Sequence, residues 1–152
     1  MTTHHSLLAL SLTAIAVLTA SSAIADGPTA TSSVAVNVGT FRNQKGILGC
    51  RLYDSGANFP EGSKGTVEKR ITITGATVRC DFENVPPGTY AVSVMHDEND
   101  NRKLDKNFLG IPSEGYGVSN NHTHALSAPT WEESKFVVER GKNVGLSIGL
   151  RY

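Results

Sequence analysis

The sequence contains few of the residues from which metal clusters and redox centres are built. Its 152 residues include two cysteines, one tryptophan and five histidines, and they contain no CxxC motif and no Cys/His cluster. Zinc binding and thiol redox chemistry are therefore not indicated. The chain also has no excess of either charge, since 14 basic residues balance 14 acidic ones. A neutral chain gives no electrostatic reason to expect nucleic acid or an anionic membrane surface as a partner.

Charged side chains are missing altogether from residues 1–25. Leu7 to Leu18 is an apolar run of the length typical of a signal-peptide core, and Ala23-Ile24-Ala25 places small residues where a signal peptidase recognises its substrate. We therefore predict cleavage before Asp26 and a periplasmic or secreted protein. The alternative for this run is a buried N-terminal helix.

The chain that remains after cleavage has about 127 residues, enough for one domain with a real core. We predict a flexible leader at residues 26–32 and a single domain at residues 33–152. No segment after the signal peptide is long and apolar enough for a transmembrane helix.

The two cysteines, Cys50 and Cys80, both follow the export signal. Each alternates with apolar neighbours, in ILGCRLY and in TVRCDFENV, so both thiols are expected to face the core. An oxidising compartment permits them to form a disulfide. Alternation does not fix their separation, and two unpaired buried thiols remain the alternative.

Period-two alternation of apolar and polar residues, dense in β-branched types, runs through most of the expected domain. It predicts an all-β fold, an antiparallel seven-stranded β-sandwich of prealbumin-like or Ig-like type with one long functional loop. The expected strands are residues 33–41, 47–53, 66–74, 77–83, 90–96, 136–138 and 144–150.

The long loop runs from Asp97 to Thr130, and loops of this length in compact domains are usually functional or disordered. Its first residues alternate oxygen-bearing side chains in a pattern similar to EF-hand calcium loops, although Arg102 replaces the usual glycine and Phe108 the usual bidentate glutamate. Glu114 could supply the missing carboxylate. We predict a calcium site with ligands Asp97, Asn99, Asn101, the carbonyl of Lys103, and Asp105. A solvated turn rich in Asx residues is the alternative.

The string HDEN-x-N-x-x-LD-x-N-x-x-G-x-P-x-EGYG-x-SNN, preceded by PPG-x-Y, resembles the family known as domain of unknown function 2141. The resemblance covers nearly all of the chain after residue 25. It implies a small exported protein of the bacterial envelope and brings no established activity. Members usually have glycine where this chain has Arg102. The V-P-P-G-x-Y turn is also similar to that of prealbumin-like and collagen-adhesin B-type sandwiches.

These observations favour a non-enzymatic binding domain whose partner is an envelope protein or a glycan. The candidate binding residues lie in and around the signature: His96, Glu114, Tyr116, Asn120 and Asn121. One alternative is a carbohydrate-binding module that stacks sugars on Tyr53, Tyr116 and Trp131. The other is a small hydrolase with a carboxylate/His site between His96 and Glu114. His122 and His124 have no clear third ligand and are expected to be exposed loop residues.

Overall fold

A computed structural model describes residues 31–64, 66–124 and 127–152. The predicted signal peptide (residues 1–25) and residues 26–30 of the predicted leader (residues 26–32) lie outside the described residues. The strands are β1 (Ser32–Gly39), β2 (Ile47–Tyr53), β3 (Thr66–Thr72), β4 (Thr77–Val85), β5 (Gly88–Asp97), β6 (Gly115–Val118), β7 (Phe136–Val138) and β8 (Val144–Gly149). A four-residue helix, α1 (Trp131–Ser134), precedes β7.

Two sheets form the predicted all-β sandwich. One sheet has the strand order β4-β1-β8, and the other has the order β3-β2-β5-β6, with β7 paired to the start of β5. The described residues contain eight strands rather than the seven that we predicted. The extra strand is β6, whose sequence GYGV is half glycine, a residue that is depleted in strands and that hides the alternation.

The pairing of β1 with β8 also differs from the prediction. These two strands run parallel, with Val36 opposite Leu146 and Val38 opposite Ile148, whereas every other strand pair described is antiparallel. Alternation along a strand fixes which side chains face inward, but it contains no information on the direction of the neighbouring strand. The three-stranded sheet is therefore mixed.

The interior between the sheets is apolar. Val34, Val36 and Val38 alternate along β1 and are fully buried, as are Leu48 and Val92 of the opposite sheet. Burying a side chain of this size contributes roughly 1.5–3 kcal/mol. No helix in the described parts of the chain is long and apolar enough to cross a membrane.

A disulfide joins the two sheets. Cys50 of β2 and Cys80 of β4 are both fully buried, and their Cα atoms are 6.7 Å apart, within the reach of a disulfide. The prediction that both thiols face the core is confirmed, and of the two alternatives for the pair the structure has the disulfide. The bond closes a long segment of chain, because the two residues are 30 positions apart.

Candidate binding cleft

The end of β5 carries two polar residues into the interior. His96 is fully buried, and its Nε2 lies 2.7 Å from the carbonyl oxygen of Lys45 while its Nδ1 lies 2.6 Å from the hydroxyl of Tyr152. A carbonyl can only accept, so Nε2 must carry a proton and donate it. In the neutral ring, Nδ1 then accepts from Tyr152. Both ring nitrogens are therefore used to hold neighbouring segments in place.

Asp97, the next residue, is also fully buried and is surrounded by donors. Its carboxylate accepts hydrogen bonds from the backbone N–H of Asn101 at 3.0 Å and of Arg102 at 2.8 Å, and from the guanidinium of Arg70 at 2.9 Å. Burial alone would raise the pKa of Asp97, but these hydrogen bonds and the charge of Arg70 lower it below its ordinary value. The carboxylate is therefore held as an anion that fixes the start of the β5–β6 loop (residues 98–114).

Glu114 fixes the other end of the β5–β6 loop. This residue is 4% exposed, and its two carboxylate oxygens accept from the backbone N–H of Glu98 at 2.8 Å and of Asp105 at 3.1 Å. One buried carboxylate thus binds two parts of the loop together. We call His96, Asp97 and Glu114 the buried polar cluster.

Glu98 connects the loop to the segment that follows β1. It forms an ion pair with Arg42 and accepts a hydrogen bond from Asn43 at 2.8 Å. Burial would raise the pKa of Glu98, but Asn43 and Arg42 together lower it. Arg42 also lies over the ring of Tyr152, 4.5 Å from its centroid, which adds a cation–π contact beside His96.

The predicted calcium ligands lie together, but their contacts are with one another. The side-chain amide nitrogens of Asn99 and Asn101 donate to the two oxygens of Asp105 at 2.8 and 3.0 Å. The amide oxygen of Asn101 accepts from the backbone N–H of Lys103 at 2.9 Å. The carboxylate of Asp97 faces Arg70. Within residues 31–64, 66–124 and 127–152, no group of three or more His, Cys, Asp or Glu side chains is placed to hold a metal ion.

A tight turn forms the tip of the β5–β6 loop. The side-chain oxygen of Asn107 accepts from the backbone N–H of Leu109 at 2.9 Å and of Ile111 at 3.1 Å. Gly110 adopts a φ of 79°, a conformation that glycine takes without steric cost. The turn presents apolar side chains to solvent, because Phe108 is 94% exposed and Leu109 is 67% exposed. This apolar surface at residues 108–111 is the loop tip.

The loop overhangs the outer face of the larger sheet. Cross-strand pairing places Gly49, Met95, Tyr116 and Arg151 side by side in one row on that face. Because Gly49 has no side chain, the row is depressed at this position. Residues 102–112 form a wall above it, and residues 60–63 and 127–129 complete the lining. The result is a cleft of about 990 Å³.

Of the five candidate binding residues, Tyr116 lines this cleft and the other four have structural contacts. His96 and Glu114 belong to the buried polar cluster. Asn120 donates to the carbonyls of Glu133 and Lys135, and Asn121 bonds Ser147 and Gly149 of β8. Both asparagines have positive φ, at 66° and 56°, which asparagine tolerates better than most residues.

The three aromatic residues considered for sugar stacking do not share one surface. Tyr53 is 1% exposed and donates its hydroxyl proton to the carbonyl of Pro60. Trp131 packs against Phe59 with ring centroids 6.1 Å apart.

His124 is held by Glu133 at 2.9 Å, so this histidine has a carboxylate partner.

Sequence reasoning missed three contributors to the site, Arg70, Tyr152 and Asn107. Arg70 lies 27 positions before its partner Asp97, and alternation along β3 gave no indication of that pairing. Tyr152 likewise meets His96 across 56 positions. Asn107 could have been found, because an Asn three residues before a glycine is a local turn signal.

The fold and the site define a β-sandwich protein with a preformed cleft beneath a long, hydrogen-bonded loop. The sequence model of a family described as an uncharacterized protein conserved in bacteria (DUF2141) matches residues 36–145. The chain belongs to this family, which confirms the resemblance found in its signature. Neither the curated proteins nor the solved structures contain a match to the chain.

Proposed function

We propose that the protein is an exported, non-enzymatic binding domain of the bacterial envelope, and that its ligand occupies the cleft beneath the β5–β6 loop. The observation that carries this proposal is the cleft itself, about 990 Å³ in volume. Ligand pockets typically measure about 300–1,000 Å³ and are largely formed before the ligand binds. A sheet provides the floor, and the buried polar cluster fixes the wall formed by the β5–β6 loop.

The state of the buried polar cluster supports a binding role rather than hydrolysis. A general base must be able to reach a proton on the substrate. His96 and Asp97 are fully buried, and every ring nitrogen and carboxylate oxygen that they carry already has a partner within the protein. Glu114 is bound in the same way. These groups stabilise the loop and are not presented to the cleft.

The carbohydrate-binding alternative retains one aromatic residue. Tyr116 lies on the floor of the cleft, beside Met95, and a sugar could stack on its ring. Tyr53 and Trp131 lie elsewhere, so the stacking platform has one residue rather than three. A protein segment or another ligand therefore fits the cleft as well as a glycan does.

A finer assignment of the fold rests on Tyr90. Its hydroxyl donates to the carbonyl of Pro86 at 3.0 Å, four residues earlier, across the turn Val85-Pro86-Pro87-Gly88. A tyrosine that bonds back to the preceding backbone is a feature of Ig-like sandwiches. We infer that this domain is of the prealbumin-like or Ig-like type. An experimental structure, superposed on members of both classes, tests this inference.

The binding role is tested by filling the cleft. A Cβ on Gly49 would lie 3.5 Å from the Met95 side chain, an ordinary contact, so Gly49→Phe should fold and occupy the floor. Gly145→Phe is the matched control, because a Cβ there meets nothing within 4 Å and Gly145 lies on the other sheet. Urea unfolding should show that both variants remain folded.

The probes are N-acetylglucosamine, benzoate and a blocked dipeptide, added separately while backbone amide shifts are recorded by NMR. We expect at least one probe to shift the backbone amide resonances of Met95 and Tyr116. Gly49→Phe should abolish these shifts, and Gly145→Phe should leave them unchanged. Shifts that are absent, scattered over the surface, or unaffected by Gly49→Phe contradict the binding role.

Export is tested separately by mass spectrometry of envelope protein, whose N-terminus should be Asp26.

A further inference from the structure

The cleft is positively charged although the chain as a whole is neutral. Five basic side chains line it, against two acidic ones. Lys106 pairs with Glu61 at 2.8 Å and Arg51 pairs with Glu68 at 3.1 Å, so both acidic residues are already neutralised. The three remaining cations, Arg102, Lys103 and Arg151, form no ion pair within the described parts of the chain.

Part of the wall formed by residues 102–112 is apolar. Leu109 and Ile111 line it, yet they remain 67% and 45% exposed. Large apolar side chains are usually buried, and exposed ones that are held in a fixed position often mark an interaction site. The hydrogen bonds of Asn107 hold both residues in one turn. Ordering this wall on binding would therefore cost little conformational entropy.

We propose that the cleft binds an anionic amphiphile, a molecule with a carboxylate or phosphate head and an alkyl chain. The head would contact Arg102, Lys103 and Arg151, and the chain would cover Leu109 and Ile111. This inference rests on the proposed function, because it specifies the ligand class of the same cleft.

The two halves of the cleft argue for this class together. A neutral sugar would bury the apolar wall without pairing the cations, and a small inorganic anion would pair the cations but leave the wall exposed. A cationic ligand would meet an excess of three like charges. Only a ligand with both parts satisfies both surfaces.

The test compares four probes that separate head from tail, each below its micelle concentration. Dodecanoate has both parts, butyrate has the head alone, dodecyl maltoside has a neutral head, and dodecyltrimethylammonium has a cationic head. Affinities are measured by NMR titration of the Met95 and Tyr116 amides. We expect dodecanoate to bind at least tenfold more tightly than each of the others. Along the series octanoate, decanoate, dodecanoate, each buried methylene should raise affinity by about threefold to fourfold.

Two variants test the cationic part and the apolar part of the cleft separately. Arg151→Gln should weaken dodecanoate binding by roughly fivefold and reduce its dependence on salt, and Leu109→Ser should reduce the gain per methylene. The matched controls are Arg79→Gln, on the other sheet, and Val137→Ser, which is 64% exposed and outside the cleft. Neither control should change the affinity.

Two sources could supply such a ligand, a free fatty acid or a phospholipid. Dodecanoate binding without binding of anionic phosphatidylglycerol vesicles assigns a free amphiphile, whereas binding of both assigns a membrane lipid. Equal affinity for dodecanoate and butyrate, or for the anionic and neutral heads, overturns the proposal. If N-acetylglucosamine or the dipeptide shifts the amide resonances of the cleft residues and dodecanoate does not, the proposed ligand class is wrong and the binding role stands. If no probe shifts them, both are wrong.

Discussion

Between the two sheets, apolar side chains from β1, β2 and β5 pack together and a disulfide crosses the interior. In the β5–β6 loop, by contrast, the fixed geometry depends on hydrogen bonds to two buried carboxylates, Asp97 and Glu114. The interior distributes its stabilisation over many contacts of similar size. The loop concentrates it in a few polar groups, each of which is costly to leave without a partner.

This difference has a consequence for the cleft. The floor of the cleft is part of a sheet and should survive most single substitutions. One wall is part of the loop, so its position depends on residues that never contact a ligand. A variant of Asp97 can therefore impair binding through the geometry of the wall alone.

The largest expected effect is that of Asp97→Ala. This change removes the acceptor of the Arg102 N–H and leaves the Asn101 N–H only its 3.2 Å bond to Asn99. The Arg70 guanidinium loses its buried carboxylate partner and keeps the exposed one, Asp100. Removing one partner of a buried charged pair typically costs about 3–5 kcal/mol, so urea unfolding should show a loss in that range. Hydrogen exchange should show the loop opening while β1 and β2 stay protected.

Asp81→Ala is the matched control for that substitution. Asp81 also pairs with an arginine, Arg79, but both side chains are exposed. An exposed ion pair contributes about 0–1 kcal/mol. Losses of equal size at Asp81 and Asp97 would contradict the distinction between the loop and the surface.

Breaking the disulfide should weaken the fold as a whole and leave the loop unaffected. By the chain-entropy model, a bond between residues 30 positions apart stabilises the fold by about 3–4 kcal/mol. The double variant Cys50→Ala, Cys80→Ala should therefore lower the free energy of global unfolding in urea by an amount of this order. Local opening of the β5–β6 loop, measured by hydrogen exchange, should not change. Opening of the loop alone would contradict this assignment.

Acid should weaken the loop before the interior. The hydrogen bonds and the charge of Arg70 outweigh burial and lower the pKa of Asp97, and contacts with Asn43 and Arg42 do the same for Glu98. A depressed pKa contributes stability that is present above the pKa of the unfolded chain, about 4 for these groups, and is lost as the pH falls through the folded value. Stability should thus decline below about pH 4.

The variant Asp97→Asn sharpens this test, because it retains much of the shape and removes the titration. Its stability, measured by urea unfolding between pH 7 and pH 2, should depend less on pH than that of the parent protein. Parallel curves for the two proteins would show that another carboxylate controls the acid response.

The interior could be predicted from the sequence to a large extent, and the loop could not. Strand β2 has its predicted ends, and β1 has its predicted inward face, because period-two alternation reports burial directly. The inward facing of both cysteines followed from the same pattern, which gave no information on their separation. What alternation omits is direction and partner, which is why the parallel β1–β8 pair was not foreseen.

In the loop, the sequence showed where the oxygen-bearing side chains lie but not what they contact. Oxygen-bearing side chains at alternate positions can bind a cation, but they can equally accept backbone N–H groups. The choice depends on distant residues such as Arg70, which supplies a positive charge beside Asp97. No local pattern contains that information.

Calcium binding therefore stays a prediction, and the structure sharpens it. Asn99 and Asn101 direct their amide nitrogens at Asp105, so both side chains would have to turn their oxygens toward an ion. With a dissociation constant of about 1 mM, typical of extracellular modules, a tenfold excess of calcium would add about 1.4 kcal/mol and raise the melting temperature. Asp105→Ala should abolish the rise, and Asp81→Ala should not. An unchanged melting curve up to about 10 mM calcium would contradict the calcium site.

The smallest expected effect concerns the backbone at Arg102. This residue has a φ of 65°, so its backbone lies in the left-handed region, which costs energy for any residue with a Cβ. Its backbone N–H still donates to Asp97, and glycine would keep that bond. Comparing Arg102→Gly with Arg102→Ala isolates the strain, because both remove the charged side chain. The glycine variant should be more stable in urea unfolding by about 1 kcal/mol, partly offset by the greater freedom of glycine in the unfolded chain.

The same pair of substitutions at Lys103 provides the control. Lys103 lies beside Arg102 in the loop and has no positive φ, so alanine should be the more stable variant there, by about 0.5–1 kcal/mol. The sign of the Gly/Ala difference should therefore reverse between two adjacent residues. If alanine is the better residue at both positions, the backbone at Arg102 is not strained.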